Sequence, residues 1–179
     1  MGSLLSMFGK NIEFVFVALI MIALMYAVAF VSECLIEKKK NVKFSSEKTK
    51  INKMVLIAML SAVSVVLMYF DFPIIPAFPW LQIDLSEVPA LMGGFAYGPI
   101  TGGAIVILKV VLRFLLKGTG TAFVGEIANI IVGLALIMPA TYIYHRNKSK
   151  KTAIIGMISG ALVMQVAGIL ANVYILLPL

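Results

Sequence analysis

Residues 152–179 run for 28 positions without one charged side chain. About 20 apolar residues suffice for an α-helix to cross the ~30 Å hydrocarbon core of a bilayer. A second charge-free run covers residues 14–32, and it is long for the apolar core of a signal peptide, with only Lys10 as a basic residue ahead of it. We read it as a retained anchor helix. The remainder of the chain agrees: 61% of the residues are hydrophobic, 13% are charged, and the mean hydropathy is +1.05. Soluble domains carry about 25% charged residues. The balance excludes a disordered chain, a fibrous protein and an ordinary soluble enzyme, and leaves a polytopic membrane protein of helices. A single cysteine, Cys34, allows no internal disulfide, and with a single histidine, His145, it builds no Cys/His zinc site.

The net charge of +7 is concentrated rather than spread. Seven of the fifteen basic residues fall in residues 38–53 and four in residues 146–151. Both clusters flank apolar runs, as cytoplasmic loops do, so the charge marks orientation and not a nucleic-acid partner. With both loops inside, the anchor helix has its amino terminus outside. The helix after residue 53 then exits, and the Pro-rich loop that follows it is extracellular.

That helix covers residues 54–70. Pro73, Pro76 and Pro79 come next at a spacing of three, and each removes a backbone N–H, so this stretch is a loop. Ser86, Glu87, Val88 and Pro89 read as a helix start with proline in its first turn. Glycines and Pro99 interrupt the next apolar stretch, which predicts two shorter helices meeting near Gly98 and Pro99, the second reaching about Leu116. Further helices are expected over residues 123–144 and from residue 152 to about Leu176.

The sequence has no phosphate-binding loop, no His-Glu-x-x-His and no Gly-x-Ser-x-Gly, so uphill movement of a solute requires an outside source of energy. The polar residues in or near the apolar helices are the candidates for recognition. Asp84 and Glu87 follow the Pro-rich loop and are expected at the outer mouth. Lys109, Arg113 and Lys117 recur every four residues and share one helix face. Arg113 and Lys117 are within reach of the outer surface, whereas Lys109 lies deeper and needs a partner or a wet cavity. Glu126 and Asn129 lie on the following helix, and Gln165 and Asn172 on the last. Facing one cavity, these groups suit an uncharged, hydrogen-bonding solute with an apolar body, walled by aromatics such as Phe78, Trp80, Phe95, Tyr97 and Tyr174. Facing neighbouring helices, they are interhelical hydrogen-bonding groups. Ala58, Ser61 and Ala62 form a stripe of small residues, and Gly94 with Gly98 and Gly156 with Gly160 repeat the pattern.

Residues 81–99, Leu-Gln-Ile-Asp-Leu-Ser-Glu-Val-Pro-Ala-Leu-Met-Gly-Gly-Phe-Ala-Tyr-Gly-Pro, narrow the field. Together with the Pro- and Phe-rich loop before them, Leu108-Lys109, Val124-Gly-Glu-Ile-Ala-Asn129 and the segment from Asn172 to Pro178, they resemble the substrate-binding S components of energy-coupling factor (ECF) vitamin transporters, and among these the riboflavin-specific branch. The likeness covers residues 53–179. It implies an all-α membrane bundle that binds riboflavin at the extracellular side, needs no cofactor, and is not an enzyme. It also implies partners: a transmembrane T protein and two ATP-binding subunits that drive uptake in a bacterial cell membrane. The substrate-binding candidates under this resemblance are Asp84, Glu87, Lys109, Asn129 and Asn172, and Ala58 and Ala62 match the family's docking stripe for T.

Two features depart from the family pattern. The anchor in residues 1–36, followed by a basic linker in 37–52, is additional, and the family's last helix has no counterpart within residues 53–179. The extra helix is not expected to replace the missing one, because its charges lie only at its ends. Other readings stay open on sequence alone: an S component for another vitamin or a modified base, an intramembrane enzyme, or a non-transporting anchor protein.

Overall fold

The structure, a computed structural model, describes residues 47–69, 72–73, 82–83, 85–118 and 124–171, with residues 20, 22, 23, 26, 27, 30, 31, 33 and 34 of a helical N-terminal segment. Its elements are α1 (Glu47–Met68), β1 (Phe72–Pro73), β2 (Gln82–Ile83), α2 (Glu87–Tyr97), α3 (Pro99–Lys117), α4 (Val124–Arg146) and α5 (Lys150–Ala171). Among the described residues four helices are long and apolar enough to cross a membrane, namely α1, α3, α4 and α5. The fold is an all-α membrane bundle, as the apolar runs require. α1 starts at Glu47, so its first residues come from the stretch read as linker.

α2 is the exception in length. Its 11 residues rise only about 16 Å, half of a hydrocarbon core. It ends where the sequence puts the break: Gly98 has φ of 105°, a conformation that a side chain disfavours, and Pro99 then opens α3 at a position where no N–H is needed. At the other end, β1 and β2 pair antiparallel, Phe72 opposite Ile83 and Pro73 opposite Gln82. This short ladder brings the two ends of the Pro-rich loop together just before α2.

α4 is the centre of the bundle. Over its most apolar 18 residues α4 is 56% buried, against 11% for α5. Leu134, Ile137 and Met138 of α4 join Ala90 of α2 and Ile105 and Val106 of α3 in the main apolar core. α5 packs on a stripe of α4 beside this core, where Gly156 and Gly160 let the backbones touch. A Cβ on Gly156 would lie 2.5 Å from the Ala140 carbonyl oxygen, and one on Gly160 would meet the Leu136 carbonyl oxygen. The glycine stripe of the last helix is therefore an internal seam. The N-terminal segment docks as well: Ile22 and Tyr26 pack against the main core, and Ile22 also meets Ala128 and Ile131 of α4.

Candidate functional site

At the amino end of α2, groups from four helices meet. The Lys109 Nζ of α3 donates to Glu87 Oε1 at 2.6 Å and to Ser86 Oγ at 2.7 Å. Ser64 of α1 donates its hydroxyl to the Ser86 carbonyl at 2.8 Å. From α4, Gly133 leaves the room that the carboxylate fills: a Cβ there would sit 2.8 Å from Glu87 Oε1 and 2.9 Å from Val106 Cγ1. Ser64, Ser86 and Lys109 are fully buried, and Glu87 nearly so.

Local chemistry explains the arrangement. Ser86 precedes α2 as the sequence suggests, but its dihedrals are helical and its side chain makes no cap bond. The hydroxyl is turned instead to the lysine. Glu87, in the first turn of α2, stands where the helix dipole favours a negative charge. A lone ammonium at membrane depth is costly, and a buried ion pair repays desolvation only when its remaining lone pairs and protons are also bonded. Ser86 supplies one of those bonds.

The depth of the cluster follows from helix arithmetic. Lys109 lies two turns before Lys117, and Gly133 lies nine residues after Val124, which are about 12 Å and 14 Å along their helices. The pair is therefore near the middle of the span, and α2 begins there. The basic comb of α3 is graded along this depth: Lys109 is buried, Arg113 half-buried and Lys117 exposed, with its Nζ 5.9 Å from the centre of the Tyr69 ring. Lys109 has the partner that its depth demands. Glu87 lies at that depth rather than at the outer mouth where the sequence puts it, because pairing with a buried ammonium draws the carboxylate inward.

Of the other candidates, Asn129 lies one turn before Gly133 on the same face of α4, toward the outer end, and is half-buried, as is Glu126. Asp84 and Asn172 lie outside the described residues, as do Phe78, Trp80 and Tyr174. Phe95 and Tyr97 sit at the end of α2 remote from the Pro-rich loop, and Phe95 packs on Tyr144 with ring centres 4.8 Å apart. Gln165 is exposed. Ala58 and Ala62 are exposed, whereas Ser61 is buried. The stripe of small residues thus straddles the edge between the core and the outer surface of α1. No group of acidic, histidine or cysteine residues able to hold a metal ion occurs among the described residues. Ser64 and Gly133 were not singled out from the sequence. Their roles depend on which helix lies opposite, and a lone serine or glycine in an apolar helix carries no sign of that.

Comparisons with known proteins agree with this architecture. Residues 52–179 match the family described as ECF transporter, substrate-specific component. The riboflavin transporter FmnP of Bacillus subtilis is 34% identical over 131 residues, which is 72% of this chain and 68% of that protein. The riboflavin transporter RibU of Staphylococcus aureus is 35% identical over 127 residues, 71% of this chain and 66% of that one. RibU of Streptococcus thermophilus is 30% identical over 132 residues and is matched over 63% of its length. The chain thus spans about two thirds of the length of these relatives. A solved structure of the S component of a bacterial ECF transporter superposes with a TM-score of 0.64 at 33% identity, covering 72% of this chain and 76% of that one. A half-length helix starting at mid-membrane on a buried ion pair, inside a bundle whose sequence matches across residues 52–179, places this chain in the family of substrate-specific components of ECF transporters.

Proposed function

We propose that this chain is the riboflavin-binding membrane subunit of an ECF-type transporter, capturing the vitamin at the extracellular side for uptake powered by other subunits. The observation that carries this reading is the 30–35% identity to riboflavin transporters of three genera. The matched residues 52–179 contain every member of the buried cluster. The sequence holds no nucleotide-binding motif, so the energy comes from ATP-binding subunits that act through a transmembrane T protein. The subunit binds and conveys; it does not transform its ligand.

The geometry supports a division of labour. Glu87 and Lys109 spend their charges on each other and on Ser86, so we assign them to positioning: they anchor the start of α2 and form a floor at mid-membrane. The ligand lies outward of that floor. Asn129, above Gly133 on α4, faces it, and Asp84 and Asn172 complete the polar contacts to the ring edge and the hydroxylated chain. Ala58 and Ala62, exposed on α1, remain available for a closely packed helix of the T protein.

The test is purification of the protein in detergent, followed by inspection for a bound yellow chromophore and titration with riboflavin. The expected result is saturable quenching of flavin fluorescence at 1:1 stoichiometry. Tight binding of a different vitamin, with no flavin quenching, would overturn the assignment of ligand.

A further inference from the structure

The corner between α2 and α3 is held from both sides by residues of other helices. On the α2 side, the Gly94 carbonyl accepts the backbone N–H of Gly98 at 2.9 Å and the Nε2 of His145 at 3.0 Å. A carbonyl can only accept, so Nε2 carries the proton. His145 comes from the last turn of α4 and is 2% exposed, with the Tyr144 ring edge-on at 5.5 Å. On the α3 side, the backbone N–H of Ile100 donates to Glu33 Oε1 at 3.3 Å. The same carboxylate lies directly against Gly98, where any Cβ would collide with it. Glu33 belongs to the N-terminal segment and precedes the family-matched residues 52–179.

We infer that this corner is a two-point clamp, with Glu33 on the Ile100 amide and His145 on the Gly94 carbonyl, which controls how readily the basic end of the bundle opens. Three features carry the inference. The corner is the break in the transmembrane path, so its backbone groups cannot satisfy one another as those of a continuous helix do. Its two outside partners, Glu33 and His145, come from segments far apart in the sequence. It stands at the end of α4 that continues into exposed Arg146, Lys148, Lys150 and Lys151, the end that the charge distribution places in the cytoplasm. The N-terminal segment thereby becomes part of the transport domain, seated by Ile22 and Tyr26 and fastened by Glu33. The clamp is remote from the outer site and does not depend on which ligand that site takes.

The experiment reads local opening directly. In full-length protein carrying Cys34→Ser, one reporter, Thr101→Cys, is placed just inside the corner, and another, Ser64→Cys, beside the mid-membrane cluster. Both native side chains are fully buried. Thiol labelling is then timed in native membranes with and without Glu33→Leu and His145→Phe. The clamp predicts that labelling at position 101 accelerates by roughly tenfold or more while position 64 stays unchanged, a local opening rather than a global one. Glu33→Gln and His145→Gln, which keep an acceptor and a donor, should recover most of the protection. Unchanged labelling at position 101 overturns the clamp. Equal acceleration at both positions also overturns it, because the contacts would then serve general stability alone. Neither readout uses riboflavin, so failure here is separable from failure of the ligand assignment.

Discussion

The two faces of α4 are packed by opposite means. Toward α2 and α3 it offers Gly133 to a buried ion pair; toward α5, an apolar surface on which Gly156 and Gly160 rest against carbonyl oxygens. Lipid tails are as apolar as leucine, so no hydrophobic force draws helices together within the bilayer. Close van der Waals packing suffices for α5, which needs no particular partner chemistry. α2 needs more, because it begins in mid-membrane and its amino end exposes orphan N–H groups. A charged pair with serine neighbours fixes that end to one register, which an apolar seam does not. The face with polar groups is the one on which a site can be built; the other is a wall.

This contrast can be broken most severely at the pair. Replacing one member, as in Lys109→Met or Glu87→Leu, strands the other charge in the core and should cost about 3–5 kcal/mol of stability. Thermal unfolding in detergent measures it. The double variant Glu87→Leu with Lys109→Met should recover most of the loss, because apolar replacements of a buried pair are often neutral. A double variant as unstable as the singles would mean that the serines and Gly133, not the charges, hold the seam.

The glycine seam should respond less. Gly156→Leu sets side-chain atoms against the Ala140 carbonyl and forces α5 outward, for about 1–3 kcal/mol, the range of overpacked cores. Loss comparable to that from stranding a charge would erase the distinction between the faces.

The smallest effect on stability belongs to the outer surface of α1. Ala58→Trp with Ala62→Trp adds bulk to exposed positions, so unfolding should not move, and riboflavin affinity should stay within roughly tenfold. Uptake in cells that supply the T protein and ATP-binding subunits should nonetheless vanish, since two large side chains hold a partner helix away. Normal uptake would show that this surface faces only lipid.

Local chemistry was legible in the sequence where it was self-contained. Gly98 followed by Pro99 marks a break because one residue takes a positive φ and the next lacks an N–H. The spacing of Lys109, Arg113 and Lys117 shows a comb on one face and shows that its deepest member needs a partner. The partner is not legible: Glu87 lies 22 residues away, and only the reversal at Gly98 brings α2 beside α3. The same limit applies to Gln165. Its seven-residue spacing from Asn172 suggests a shared face, but Gly156 and Gly160 decide which face of α5 is buried. Gln165 lies about 140° around the helix from Gly160. Ser61, about 60° from Ala58 on the side away from Ala62, falls into the core while the alanines stay out.

In the proposed function the ligand lies outward of the ion pair, on the α4 face that carries Asn129. Fluorescence titration of purified protein with riboflavin, run beside Asn129→Leu, tests this most directly. The predicted result is 1:1 quenching by the native protein and at least roughly tenfold weaker binding by Asn129→Leu, about 1.4 kcal/mol, with the unfolding temperature unchanged. Absence of quenching by the native protein, or affinity indifferent to Asn129, would contradict it.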